Sequence, residues 1–218
     1  FAQMQLRHPT RAPRSMLQPA SDEEFLGVGF HAATLEDAAR LILTQPRGAP
    51  FRYVVTPNVQ HMVMIIEDPA RHAPLYRAAW RVYCDSRVLV GLARLRGRRL
   101  SVVTGSDLTA CVLQGAGRAG LKVALIGPPA GDAARLRVLY PGAAVVCHTP
   151  PMGFIDSDAE IARCIEFVVR EKAALVFLAV GMPRQEMLAA RLAADGRATG
   201  VGLCIGASID FLTGRQRR

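Results

Sequence analysis

No apolar run in this chain reaches the roughly 20 residues that a helical membrane span needs. The longest, around Ala173–Val180, is the length of a strand. The first residues also lack the apolar core of a signal peptide. The five cysteines, Cys84, Cys111, Cys147, Cys164 and Cys204, are odd in number and contain no CxxC, and most lie in apolar surroundings. That disfavours a disulfide framework and fits reduced thiols in a cytosolic core. The histidines form neither HxxxH nor HExxH, so no zinc site is expected. Aromatics are scarce at 6%, with no RNP-like pattern and no zinc-finger spacing, so nucleic acid is not an expected partner. Acid is also in short supply: 18 Asp and Glu face 27 Lys and Arg, a net charge of +9.

The basic excess is clustered. Arg7, Arg11 and Arg14 lie in an acid-free N-terminal stretch, Arg94, Arg96, Arg98 and Arg99 form "RLRGRR", and Arg215, Arg217 and Arg218 end the chain. Such clusters serve anionic lipid or a phosphorylated substrate, or are solvated tails. Residues 1–22, rich in Pro, Arg, Gln and Ser, read as a flexible basic leader. The chain opens on Phe1 rather than Met, and we expect it to be a fragment.

From Phe25 onward strand and helix signals alternate. "FLGVGF" reads as a short strand and "TLEDAARLILTQ" as a helix capped by Thr34. "FRYVVTPN" is a strand ending at Thr56-Pro57, "VQHMVMIIEDP" a helix stopped by Pro69, "APLYRAAW" a second helical piece and "RVYC" a strand ending at Asp85. Further on, "DLTACVLQGAGRAG" is a helix with Ser106 as N-cap. Strands "LKVALIG", "AAVVCH", "ALVFLAVG" and "GVGLCIG" then alternate with helices over about 131–139, 158–172 and 183–194. Continuous apolar strands with intervening helices predict an α/β fold, a parallel sheet covered on both faces.

In such sheets ligands bind where strands end and helices begin. The polar and glycine residues concentrate there: Thr56 and Asn58, Asp85, Gly105-Ser106-Asp107, Gly127, Gly181 with Pro183-Arg184-Gln185-Glu186, and Gly206 with Asp210. Gly181 permits a sharp turn and close approach of a ligand. Pro183 suits the first helical position, and the free N–H groups behind it favour an anion such as phosphate. Gln185 offers a donor and an acceptor, and Glu186 in the first turn favours the helix dipole. Each junction taken alone also reads as ordinary helix-start chemistry. The loop "IGPPAGD" lacks GxGxxG and GxxxxGK[ST], which disfavours NAD and Walker-type ATP sites.

The ordered motifs "TPNVQHMV", "YCDS", "VTGSDL", "LIGPPAG", "YPGAAVV", "PPMGF", "VGMPRQE" and "IGASIDFLTGRQRR" span residues 25–218. In order and spacing they resemble the WecG/TagA/CpsF glycosyltransferases of bacterial surface-polysaccharide synthesis, and "PPMGF" resembles the branch found in exopolysaccharide clusters. The resemblance implies a compact, GT-E-like α/β glycosyltransferase with Rossmann-like character. It implies a single domain over 23–218, with a catalytic and acceptor half over about 23–104 and a nucleotide half over 105–218. The implied reaction is inverting transfer from a UDP-sugar to a polyprenyl-diphosphate-linked glycan acceptor. No metal or other cofactor is expected, and Asp156-Ser157-Asp158, which spells DxD, reads as a loop and helix start. The implied location is peripheral, at the cytoplasmic face of the plasma membrane against its anionic surface. A homo-oligomer is left open.

Carried onto matching positions, Asp85 takes the place of the general base. Thr56 and Asn58 match an active-site Thr-x-Asn, Gln185 a donor contact, and Asp210 an acidic residue near the nucleotide. Gly105, Ser106, Asp107, Gly127, Gly181, Pro183, Glu186 and Gly206 complete the expected substrate-binding set. The chain departs from the family's pattern in three places. Ser86 follows Asp85 where Gly is usual, and Val102 stands where Arg is usual, so Arg98 or Arg99 is expected to meet the diphosphate. The chain also stops at Arg218, where the family continues with a basic amphipathic segment, which implies truncation. A non-catalytic nucleotide-sugar-binding homologue and another Rossmann-like enzyme, such as a methyltransferase, are the competing readings.

Overall fold

The computed structural model describes residues 22–214; the Arg clusters expected at the two ends lie outside them. Continuous apolar runs become strands because both faces of the sheet are covered. In chain order the elements are β1 (Glu23–Phe25), β2 (Val28–Phe30), α1 (Leu35–Leu43), β3 (Arg52–Val55), α2 (Val59–Glu67), α3 (Pro69–Arg77), β4 (Arg81–Val82) and α4 (Arg87–Leu95). They continue with α5 (Gly105–Arg118), β5 (Lys122–Ile126), α6 (Ala130–Leu139), β6 (Ala144–His148), α7 (Asp158–Glu171), β7 (Leu175–Leu178), α8 (Arg184–Asp195), β8 (Val201–Cys204) and α9 (Ser208–Leu212).

Six strands form one sheet in the order β4-β3-β8-β7-β5-β6, and every pairing is parallel. One core layer joins α2, α3, α4, α7 and α8 to the sheet, and the other joins α1, α5, α6 and α9. Leu188, Ala189 and Leu192 of α8 are fully buried on one face, each leucine contributing about 1.5–3 kcal/mol through burial. The helix after β5 covers one face and the helix after β7 the other, so the connections diverge between these neighbours. That makes the β5/β7 edge a topological switch point, where a crevice opens beyond the carboxyl ends of the strands.

Several local expectations are corrected. "FLGVGF" is not one strand but an antiparallel hairpin, reversed by Leu26 and Gly27, both at positive φ; two such residues in succession make the tight hairpin turn. Pro69 does not merely stop a helix: α2 ends at Glu67 and Pro69 begins α3, capped by the Asp68 side chain. Trp80 lies beyond α3, its N–H donating to the Tyr53 carbonyl at 2.8 Å as β4 begins. The N-cap of α5 is Thr104, not Ser106, with the Asp107 N–H donating to Thr104 Oγ1 at 3.2 Å. Helix starts are expected after Asp85 and Gly206 but without ranges; the structure gives α4 over Arg87–Leu95 and α9 over Ser208–Leu212.

Thr34 caps α1, and Ser157 caps α7, so Asp156-Ser157-Asp158 is a helix start. Gly115 to Gly120 spells GxGxxG, yet it closes a helix ahead of β5 instead of opening one after a strand, so it has no phosphate-loop geometry. All five cysteines are unpaired thiols. Burial pushes the thiols of Cys84 and Cys164 up to about 11. Among the described residues, no helix is long and apolar enough to cross a membrane.

Candidate active site

Two clefts adjoin at the carboxyl ends of the strands. The smaller, about 310 Å³, lies over β4, β3, β8 and β7 and is lined by Thr56, Asn58, His61, Asp85, Gly105, Ser106, Gln185 and the 204–208 turn, among others. The larger, about 450 Å³, opens at the β5/β7 switch point between Gly127, the 149–154 loop, Arg184 and Asp210. Gly181, Gly206 and Ala207 border both.

Asp85 follows the Cys84–Val102 bridge at the edge of the sheet. One of its carboxylate oxygens, Oδ2, accepts the Gly105 N–H at 2.9 Å, so the first turn of α5 fixes the side chain. Gly105 is needed for this approach. A Cβ there would sit 2.6 Å from Thr56 Oγ1 and 3.3 Å from Asp85 Oδ2. Gly127 is needed for another reason: its φ is +125° and a Cβ would meet the Ala179 carbonyl oxygen at 2.4 Å. A side chain there would force β5 and β7 apart at the crevice.

Asn58 caps α2, its Oδ1 accepting from the N–H groups of Gln60 (3.0 Å) and His61 (3.3 Å). The His61 ring returns to the cap, Nδ1 lying 2.7 Å from Asn58 Oδ1. Its other nitrogen, Nε2, lies 3.8 Å from Glu186 Oε1. Glu186 is 1% exposed. Gln185 bridges it to the β8 turn: Gln185 Nε2 donates to Glu186 Oε1 at 2.8 Å, and Gln185 Oε1 accepts the Gly206 N–H at 2.8 Å. Glu186 Oε2 and the neighbouring Tyr76 hydroxyl find no hydrogen-bond partner among the described residues. Burial pushes the Glu186 carboxyl up to about 7, against the pull of the Gln185 hydrogen bond. Burial lowers His61 to about 4. At neutral pH the floor of the cleft thus holds an uncharged imidazole beside a carboxyl near its midpoint.

The structure gathers Thr56, Asn58, Asp85, Gly105, Ser106, Gly181, Gln185 and Gly206 in the smaller cleft, and Gly127, Gly181, Gly206 and Asp210 in the larger. Other expected residues are placed elsewhere. Glu186 does not stand at an exposed helix start but underneath the cleft. Pro183 is the residue before α8, with Met187 N–H donating to its carbonyl at 3.0 Å and a cis bond to Met182. Asp107 is exposed and takes part in the α5 cap, Thr104 Oγ1 donating to its Oδ2 at 2.6 Å. Neither Arg98 nor Arg99 lines either cleft; Arg98 pairs with Glu23 at 3.0 Å. The cation that does line the larger cleft is Arg184. Arg184 and His61 were absent from the expected set. For His61 the signal was its position three residues after a capping Asn, which places it on the cleft side of the first turn. Among the described residues no three His, Cys, Asp or Glu side chains gather as a metal site.

Residues 23–218 match the model of the family described as "Glycosyl transferase WecG/TagA/CpsF family". No curated protein matches the chain.

Proposed function

The chain belongs to the WecG/TagA/CpsF family of glycosyltransferases, and on that premise we propose that it transfers a hexose-type sugar, with inversion and without a resident metal. The donor is a UDP-sugar and the acceptor a polyprenyl-diphosphate-linked glycan at the cytoplasmic face of the membrane. The observation that carries this reading is the anchored Asp85 carboxylate in one cleft beside a second cleft that holds Arg184 at the switch point. The acceptor hydroxyl attacks the anomeric carbon from the Asp85 side and gives its proton to that carboxylate. The bond from the anomeric carbon to the diphosphate oxygen breaks, and UDP departs with the electron pair. One positioned base suffices for such a step. The charge that grows on the diphosphate is met by Arg184 and by backbone N–H groups near Gly181 and Gly206, which takes over the task first expected of Arg98 or Arg99. Thr56 and Asn58 orient the acceptor.

The test is turnover of a panel of UDP-sugars with a water-soluble prenyl-diphosphate acceptor analogue, followed by the release of UDP. Calorimetry with UDP checks the donor half. Asp210→Ala, which removes a carboxylate from the larger cleft, and Gln185→Ala, which frees the Gly206 turn, should each weaken UDP binding by roughly 1–3 kcal/mol. Unchanged affinity in both variants overturns this placement of the nucleotide. A second reading, a nucleotide-sugar-binding homologue without turnover, is motivated by Val102 and Ser86, where Arg and Gly are usual in the family. UDP binding without any transfer across the panel would favour it.

A further inference from the structure

Helix α4 turns an apolar stripe to solvent. Leu89, Val90 and Ala93 are buried against the core layer shared with α2, while Val88, Leu92 and Leu95 are 62%, 45% and 85% exposed. Their spacing of four and three residues puts them in one line along the helix. Arginines border the line: Arg87, Arg94, Arg96 and Arg99 are all exposed, and no acidic residue occurs between Asp85 and Asp107. A short helix with leucines outward and Arg87, Arg94, Arg96 and Arg99 beside them, Arg98 being paired with Glu23, is chemically matched to an anionic bilayer surface. There the apolar side chains enter the acyl boundary and the guanidinium groups stay among the headgroups.

A second apolar line, without arginines and ending beside the exposed Glu67 and Asp68, lies on α2. Val59, Val63 and Ile66 lie on its outer side at the same spacing and are exposed. The two helices follow neighbouring strands and pack on the same core layer. Each starts at a residue of the smaller cleft: α2 is capped by Asn58, and α4 follows Asp85. A membrane touching these stripes therefore lies beside the acceptor side of the cleft.

We infer that α4, with the outer stripe of α2, is the face that seats this protein on an anionic lipid surface. The inference rests on the proposed membrane-linked acceptor, and it adds the surface that makes the contact. Each arginine held near an anionic headgroup layer strengthens binding about five-fold, in a salt-sensitive way, and the leucines add a salt-resistant part.

The probe is sedimentation with vesicles of phosphatidylcholine alone and of phosphatidylcholine mixed with the anionic lipid phosphatidylglycerol, at low and high salt. The variants are Leu92→Glu with Leu95→Glu, and Arg94→Glu with Arg96→Glu. Val138→Glu, an exposed apolar position on α6 in the opposite layer, is the control. We expect either double variant to bind anionic vesicles at least about ten-fold more weakly, with Val138→Glu unchanged. The apolar variant should lose the part of binding that survives high salt. Because Trp80 is buried, Leu95→Trp reports the contact separately, and the emission of that variant should shift to the blue when anionic vesicles are added. Equal vesicle binding by wild type and both double variants overturns the inference. So does a finding that the leucine variant changes only the sedimentation coefficient in lipid-free solution, which would make this face a contact between copies of the chain. Transfer to the water-soluble acceptor analogue should stay intact in every α4 variant. Loss of docking with transfer retained separates this inference from the fate of the catalytic reading.

Discussion

Asp85→Asn should leave the fold and UDP affinity in place and lower the transfer rate by about 10²–10⁴-fold, the usual worth of a positioned base. The amide oxygen can still accept the Gly105 N–H that Asp85 Oδ2 accepts at 2.9 Å, so the first turn of α5 keeps its partner. What is lost is the capacity to take up the acceptor proton. The check is the rate of UDP release with acceptor present, beside a calorimetric UDP titration and a thermal melt. A variant that binds UDP normally, melts normally and still turns over near the wild-type rate would remove Asp85 from the role of base. A variant that loses UDP affinity as well would place Asp85 in donor binding.

The second large effect concerns Glu186, through stability and not rate. In the folded protein its carboxyl titrates near 7, raised by burial from an ordinary 4.5. Between those values the unfolded chain is ionised and the folded one is not, so unfolding releases a proton and stability falls as pH rises. The slope is about 1.4 kcal/mol per pH unit, and the whole span is on the order of 3 kcal/mol. His61 works in the opposite sense. Burial lowers it from 6.5 to about 4, so below 6.5 the unfolded chain takes up a proton that the folded one refuses, and stability falls as pH falls. From about pH 4.5 to 6.5 the two slopes nearly cancel. Glu186→Gln, a shape mimic of the uncharged acid, removes only the first. Urea unfolding should show the variant equal to wild type near pH 4 and more stable by up to about 3 kcal/mol at pH 8, with the difference growing between 4.5 and 7. A difference that is constant with pH, or a variant that is less stable at pH 8, would mean that Glu186 is ionised and paired with a charged His61.

The legibility of these elements follows their physics. The strands of the sheet read clearly because a strand buried on both faces is a continuous apolar run, as at Leu175–Leu178 and Val201–Cys204, where every residue is buried. The extent of helix α4 did not read: its apolar residues and its arginines Arg87 and Arg94 segregate clearly around the helix, but it is only nine residues long and has no acidic residue in its first turn, so it lacks the usual start signal. The hairpin at Leu26-Gly27 did not read either: leucine is a poor signal for a left-handed turn position. At the site, Thr56, Asn58, Asp85 and Gly206 were visible because they end apolar runs, and the carboxyl edge of a parallel sheet gathers such residues whatever loops lie between. The depth of Glu186 was hidden, since a carboxylate in the first turn of a helix ordinarily faces water. It lies near Tyr76 and Cys204, whose ionisation its charge opposes and which come from distant parts of the chain. The diversion of Arg98 to Glu23 is likewise a contact across 75 positions that no local pattern announces.

The pairing of β3 with β8, which joins Arg52 to Val201 and Val55 to Cys204, sets the order in which a ribosome can deliver a working molecule. Parallel neighbours so far apart in the chain meet late, because the loop between them must close before the contact rewards it. During synthesis β5, β6 and β7 can assemble as they emerge, while β3 and β4 wait with an apolar edge uncovered. Only when Val201–Cys204 has left the exit tunnel does β8 bridge the two groups and bring Asp85 and Thr56 up to Gln185 and Gly206. A nascent or interrupted chain therefore passes through a long interval as a client for chaperones and proteases, its two groups of cleft residues still apart.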